Sequence, residues 1–151
     1  MYSSKPATEE HIQQVKKSID IIISQLQLRA LVHDKTKLSK PELEYFDKYT
    51  PMLKTLTYGS DEYKQALKNL KPALDHHYAN NRHHPECHKN GINGMNLVDL
   101  IEMFSDWVSA VKRMKNGGDI HKSIHISAER FDISPQLVNI LKNSVELFDE
   151  E

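Results

Sequence analysis

Apolar residues recur every three or four positions along most of the chain, which is the spacing of one face of an α-helix. The alternation typical of β-strands is almost absent. The pattern predicts a first helix over residues 8–28 with Thr8 as its N-cap, a short second helix over 30–34, and further helices that begin near Ser39, Ser60, Asn96, Asp119 and Ser134. We therefore expect an all-α fold, a compact single-domain bundle of about six or seven helices over residues 1–151.

Turn and cap residues divide this pattern. Ser39-Lys40-Pro41-Glu42 matches a capping box. Pro51 and Pro72 are expected to close or kink their helices. Residues 80–94 predict an ordered loop, and Gly117-Gly118 is expected to end the helix that Asn96 begins. The helix that begins at Ser134 is expected to run to Phe148.

Composition limits the class of protein. The chain has 151 residues, 38% hydrophobic and 27% charged, and 20 basic against 21 acidic residues give a net charge of -1. This balance is typical of a globular protein and argues against a duplex nucleic-acid binder or a membrane-surface binder. No apolar stretch is long enough to span a bilayer, the first ten residues lack the apolar core of a secretion signal, and the single Cys87 suits a reducing compartment. We therefore expect a cytoplasmic location.

The clustering of the histidines indicates a possible metal site. Five of the nine lie within thirteen residues, namely His76, His77, His83, His84 and His88. Imidazole and carboxylate ligands together suit zinc, iron, manganese, cobalt or nickel, whereas calcium sites use oxygen alone. Any one of these histidines taken alone is more often a surface or core residue, and the cluster could also lie on a solvated loop.

Other candidate ligands are spread along the helices. His11 falls on the apolar face of the first helix, where a buried histidine with a backbone partner is the alternative interpretation. His33-Asp34 is followed by Lys37. Asp106 lies inside an apolar helix, where a buried carboxylate needs a partner or a metal. Asp99 and Glu102 share its stripe, and for them a solvated flank is an equal alternative.

The ordered set of His, His-Asp, His, His and Asp on successive helices resembles the HD-domain superfamily of metal-dependent phosphohydrolases. Residues 33–37 resemble its His-Asp-x-x-Lys signature. The chain is also similar, over most of its length, to an uncharacterised HD-like family of bacteria and their phages. Thr36 stands where the common His-Asp-Ile-Gly-Lys form has glycine, and Gly-Tyr-Pro is absent after His76-His77. Cleavage of cyclic dinucleotides is therefore not expected.

The resemblance implies one or two divalent transition-metal ions (Mn, Fe, Co, Ni or Zn). The first would be bound by His11, His33, Asp34 and Asp106, and Asp34 would bridge to any second ion. The second would take its imidazoles from residues 76–84. His77 is favoured over His76 because it continues the apolar spacing, and His83 over His84 because His84 precedes Pro85.

The same resemblance implies hydrolysis of a phosphate ester on a small molecule, most readily a nucleotide, by a phosphomonoesterase similar to a 5'-nucleotidase. Asp34, Lys37 and Glu102 are the catalytic candidates, with Glu102 as a proton shuttle or as the carboxylate that fixes a ligand histidine's tautomer. Lys37, Arg82 and Arg29 are the candidates for phosphate binding. The near-neutral charge favours a mononucleotide over a duplex.

Three alternatives remain open at this point. A site rich in His and Asp could hold two irons and activate dioxygen, as in an oxygenase. The site could bind a nucleotide without cleaving it, as a sensor or sponge. A metal could also be purely structural, in which case four protein ligands usually close the site. The last helix packs on the core or pairs with a second subunit, so a homo-oligomer also stays open.

Overall fold

The computed structural model describes residues 3–57, 60–113 and 118–149. They form six α-helices and four short 3-10 helices, with no strand in these ranges, so the predicted all-α class is confirmed. The α-helices are α1 (Lys5–Val32), α2 (Glu42–Thr55), α3 (Asp61–Asn80), α4 (Leu97–Lys112), α5 (Ile120–Phe131) and α6 (Pro135–Asn143). The 3-10 helices are Lys35–Leu38, Pro85–Cys87, Gly91–Gly94 and Val145–Phe148. None of the helices in the described ranges has the length and apolar content required to cross a bilayer.

The chain divides into an N-terminal unit, Met1–His33, and a C-terminal unit, Asp34–Glu151. The described part of the N-terminal unit is almost entirely α1. This helix begins three residues before the predicted start, so Thr8 lies inside it and is not the N-cap; its hydroxyl donates to the Ser4 carbonyl (3.0 Å). It continues to Val32, so the predicted separate helix over 30–34 is wrong.

Helices α2 and α3 pack against each other in the C-terminal unit. The buried face of α3 consists of Ala66, Leu70, Ala73 and His77, a spacing of three and four residues that keeps all of them on one side of the helix. Both helices continue past their prolines, α2 to Thr55 and α3 to Asn80, so neither proline ends its helix. The buried face of α3 therefore places an imidazole at the end of an apolar row.

The main hydrophobic core lies among α4, α5 and α6. Phe104, Val108, Ile124 and Leu141 are buried there. The last predicted helix ends at Asn143, and the 3-10 turn that follows brings Phe148 against Phe104 with their ring centroids 5.3 Å apart. A packed aromatic pair of this kind anchors the C-terminal end of the described chain on α4.

Local capping sets the beginning of α4. The Asn96 side chain accepts from the Asp99 backbone N–H, and the Asp99 carboxylate accepts from the Asn96 N–H, so the predicted cap is confirmed as a reciprocal capping box. The helix ends at Lys112. Gly117, which was predicted to end it, lies outside the described residues.

Candidate metal centre

Four candidate ligands meet in the C-terminal unit. Asp34, His77, His83 and His84 each offer one ligand atom, and these atoms all lie within 4.8 Å of one another. Asp34 comes from the turn before the first 3-10 helix, His77 from the last turn of α3, and the two other histidines from the loop after α3. We call these four residues the metal cluster, because they could hold a metal ion.

Asp34 enters the cluster from an unusual backbone position. Its φ of 56° lies in the left-handed region, which aspartate tolerates better than most residues. Its Oδ2 accepts from the Lys37 ammonium at 2.6 Å. Its Oδ1 lies 3.2 Å from Nε2 of His77 and 3.5 Å from Nε2 of His83. The two oxygens of one carboxylate therefore face different neighbours, a cation on one side and imidazoles on the other.

His77 is held by a buried carboxylate. Its side chain is 2% exposed, and its Nδ1 lies 2.8 Å from Oε2 of Glu42, which is fully buried. Burial alone would raise the pKa of Glu42, but hydrogen bonds from His76, Thr36 and His77 outweigh it and lower that pKa. The ionised carboxylate only accepts, so His77 carries its proton on Nδ1 and directs the lone pair of Nε2 toward the other cluster residues.

The hydrogen bonds around Glu42 form a consistent chain of donors and acceptors. The Thr36 hydroxyl donates to Oε2 of Glu42 (3.0 Å) and accepts from the Asn81 amide (2.9 Å). Nδ1 of His76 donates to the other carboxylate oxygen at 2.7 Å. Each donor in this hydrogen-bond network has an acceptor. The network therefore fixes the orientation of Glu42 and, through it, the tautomer of His77.

His83 repeats the same arrangement. Its side chain is buried, and its Nδ1 lies 3.2 Å from Oε1 of Glu102, which is also buried. A carboxylate on Nδ1 leaves Nε2 as the nitrogen for a ligand, and that atom faces Oδ1 of Asp34. Glu102 therefore occupies the position expected of a carboxylate that fixes a histidine's tautomer.

His84 completes the cluster. Its Nε2 lies 3.0 Å from Nε2 of His77. Burial, together with the charges of the neighbouring His83 and His77, lowers the pKa of His84 to about 3, while Asp106 acts in the opposite direction. The imidazole is therefore neutral at physiological pH, which is the form that binds metals.

The cluster has the chemistry and the spacing of a transition-metal site. Metal–ligand bonds of about 2.1 Å separate neighbouring ligands by about 3.0 Å in octahedral and 3.4 Å in tetrahedral geometry. The separations of 3.0 and 3.2 Å between cluster atoms fall in this range, and the third, 3.5 Å, lies just above it. Lone pairs on Nε2 of His77 and of His83 converge on a carboxylate oxygen, an arrangement that a cation stabilises. Three imidazoles and one carboxylate suit zinc, iron, manganese, cobalt or nickel.

Two of the remaining predicted ligands of the C-terminal unit stand apart from this cluster. His76 points its Nδ1 at Glu42, and its side chain is 39% exposed. Among the described residues, His76 is not one of the side chains that come together as potential metal ligands. Asp106 offers a carboxylate oxygen within 4.8 Å of a ring nitrogen of His83. Asp106 therefore borders the cluster through a shared histidine.

The predicted residues of the N-terminal unit lie on or just after α1. His11 is exposed and lines a groove of about 460 Å³ with Val15 and Ile19, so the alternative interpretation of a buried histidine is wrong. Arg29 lies in the last turn of α1, and His33 directly precedes Asp34 in the chain. The metal-binding roles of His11 and His33 and the phosphate-binding role of Arg29 stay predictions.

Sequence reasoning missed Glu42. Its position in Ser39-Lys40-Pro41-Glu42 indicated a capping box, but that interpretation is wrong. The N-cap of α2 is Pro41, and the Ser39 hydroxyl donates to the Thr36 carbonyl (3.3 Å). The Glu42 carboxylate binds histidines that lie 34 and 35 residues further along the chain. No local signal distinguishes such a carboxylate from an ordinary helix-initiating glutamate.

Sequence reasoning also missed the pairing of Arg82 with Asp99. Nε and Nη2 of Arg82 donate to the two oxygens of Asp99 at 3.0 and 2.7 Å, and this pairing raises the pKa of Arg82. It competes with the predicted phosphate-binding role, because the same fork of N–H groups would serve both. The interpretation of Asp99 and Glu102 as a solvated flank is wrong, since both are buried.

Comparison with known protein families places most of the chain in one of them. Residues 1–147 match the model of a family of unknown function, DUF5662. No curated protein and no solved structure matches the chain significantly. The resemblance to HD-domain phosphohydrolases therefore stays a prediction from the motifs.

Proposed function

We propose that this chain, which belongs to the DUF5662 family of unknown function, is a cytoplasmic, HD-domain-like, metal-dependent phosphohydrolase that acts on a small phosphate ester, most readily a nucleotide. The observation that carries the proposal is the metal cluster with a lysine ammonium 2.6 Å from its carboxylate. In metal-assisted hydrolysis of phosphate esters the divalent ion activates water and polarises the phosphoryl group, and a nearby cation further stabilises the charge that develops on the phosphoryl oxygens.

The cluster residues would hold the ion. His77, His83 and His84 would each supply an imidazole nitrogen, and Asp34 one oxygen. When bound, a divalent ion lowers the pKa of a coordinated water and polarises a phosphoryl oxygen. Glu42 and Glu102 keep two of the imidazoles in the tautomer that binds metal. In this proposal Glu102 acts through His83 and needs no proton-shuttle role.

Lys37 supplies positive charge beside the cluster. Its Nζ binds Oδ2 of Asp34 and lies 5.6 Å from the centre of the Phe46 ring. The Lys37 side chain is 38% exposed and otherwise covered, so an incoming anion can reach its ammonium group. A cation in this position would bind the substrate phosphate and stabilise the charge that develops on its oxygens.

The substrate class follows from charge and size. A net charge of -1 does not provide the basic surface that a duplex requires. A mononucleotide presents one compact phosphate, which a single ammonium and a metal ion can neutralise together. No described residue of the site selects a base or a sugar, so nucleoside and deoxynucleoside monophosphates are equal candidates.

A reconstitution assay tests the proposal. Metal-free protein is loaded separately with manganese, cobalt, nickel, iron(II) and zinc, and phosphate release is measured from 5'-monophosphates and from p-nitrophenyl phosphate. We expect release that requires an ion and stops when a chelator removes it. Metal uptake with no phosphate release would contradict the proposal. Recovery of an intact, tightly bound nucleotide would then indicate a sensor, and oxygen consumption with iron an oxygenase.

Replacing Lys37 with alanine is expected to lower kcat/KM about 100-fold or more, because one preorganised cation at a reacting phosphate contributes on this scale. Metal content should stay at the wild-type level, since all four cluster ligands remain. Lys35→Ala is the matched control, an exposed lysine in the same 3-10 turn. Steady-state kinetics and metal analysis of both variants provide the measurement. Equal kcat/KM values for the two variants would exclude the proposed role of Lys37.

A further inference from the structure

Acidic residues on α4 meet consecutive residues of the loop that follows α3. Asp99, Glu102 and Asp106 are spaced by three and four residues and therefore share one face of the helix. Along the loop, Arg82 binds the first of these carboxylates, and His83 lies 3.2 Å from the second and within 4.8 Å of the third. The helix thus provides a row of carboxylates beside Arg82 and His83.

Arg82 is fixed more firmly than the exposure of its side chain suggests. Asp99 is fully buried and binds both ends of the guanidinium fork, while one of its oxygens also accepts from the Asn96 N–H at 3.1 Å. The Arg82 backbone carbonyl lies 2.8 Å from Nε2 of His88, whose side chain is 7% exposed. Residue 82 is therefore held through its side chain and its backbone, immediately before two cluster residues.

We propose that the Asp99–Arg82 pair is a positioning device for the metal cluster. It fixes residue 82 so that His83 and His84 present their Nε2 atoms to Asp34 and His77. The inference rests on the proposed metal site, and it assigns Arg82 to positioning rather than to phosphate binding. Metal–ligand distances vary by only about 0.2 Å. Because His83 and His84 directly follow residue 82, a shift of that residue by more than this amount moves their ring nitrogens out of ligand range.

A cobalt titration separates positioning from simple stabilisation. Asp99→Asn, Arg82→Met and the double variant are titrated with Co²⁺ and followed by visible absorption of the full-length protein. We expect each single variant to bind Co²⁺ about 10- to 100-fold more weakly, and the double variant no more weakly than either single one. Asn96→Ala removes the reciprocal cap of α4 but leaves the Asp99–Arg82 pair, so it should lose thermal stability and keep its Co²⁺ affinity. Equal affinity losses in Asp99→Asn and Asn96→Ala would overturn the proposal.

The histidine tautomers give a second readout that needs no metal and no activity. In the metal-free wild type we expect the His83 ring to carry its proton on Nδ1, as read from ¹⁵N chemical shifts of the ring nitrogens. In Asp99→Asn the contact with Glu102 should loosen and the two tautomers should mix. An unchanged His83 tautomer would overturn the positioning role even if wild-type protein takes up no cobalt. Absence of phosphatase activity would instead contradict the proposed function and leave this inference standing.

Discussion

Replacing His77 with asparagine is expected to weaken metal binding about 100-fold or more and to abolish metal-dependent hydrolysis, whereas the same change at His76 leaves both in place. The two histidines are adjacent in sequence, and each donates Nδ1–H to one oxygen of Glu42. Only His77 also directs Nε2 into the cluster, 3.0 Å from Nε2 of His84 and 3.2 Å from Asp34. Its loss removes one of four ligands, while the loss of His76 removes none.

The two variants should differ in metal affinity but not in stability. Loss of a ligand should cost His77→Asn about 100-fold or more in metal affinity, beyond the effect typical of residues that only support ligands. The free energy of unfolding of the metal-free proteins should change by a similar, small amount in both, because the asparagine amide N–H can donate to Glu42 in place of Nδ1–H. Isothermal titration with Zn²⁺ and urea denaturation measure the two quantities. Wild-type Zn²⁺ affinity in His77→Asn would rule out His77 as a ligand.

The second large effect is expected at Glu42. Glutamine at this position keeps the shape of the side chain but replaces an acceptor with an amide donor. At least one of Thr36, His76 and His77, which donate to the carboxylate, then faces another donor. If His77 responds by moving its proton to Nε2, that nitrogen can no longer bind a metal. We expect metal affinity about 10- to 100-fold lower and a loss of about 3 kcal/mol in the free energy of unfolding.

Glu44→Gln provides the matched control for this change. Glu44 lies on the same helix and pairs with Lys40, and both side chains are exposed. Its replacement should leave metal affinity unchanged and alter stability little, because solvent screens exposed pairs. Titration with Zn²⁺ and urea denaturation of the two variants test the prediction. A Glu42→Gln protein with the metal affinity of Glu44→Gln would show that Glu42 does not support a ligand.

The helical class and most helix starts could be predicted from the amino-acid sequence. Ser60, Asn96, Asp119 and Ser134 each accept from a backbone N–H two or three residues ahead, so their helices begin where the sequence predicts. These interactions involve neighbouring residues and are therefore visible in any short window. The density of histidines and the His33-Asp34 pair are also visible in the sequence alone, and they indicate metal chemistry.

The ends of the helices are harder to predict from the sequence than their starts. α1 extends beyond its predicted range at both ends, and the final helix gives way to a 3-10 turn after Asn143. Periodicity fades gradually at a helix end, and packing decides where it stops. The Phe148 ring against Phe104 is such a contact, 44 residues apart in sequence.

Only the tertiary structure shows which of the candidate residues come together in the site. Adjacent side chains on a helix point about 100° apart, so only the packing of α3 against α2 decides that His77 is buried and His76 is not. The carboxylates that orient His77 and His83 come from other helices. Sequence supplied the ligand types, but a metal site requires several atoms to converge within a few ångströms. That convergence is a property of packed elements, because residues far apart in the chain approach each other only when their helices bury a common face.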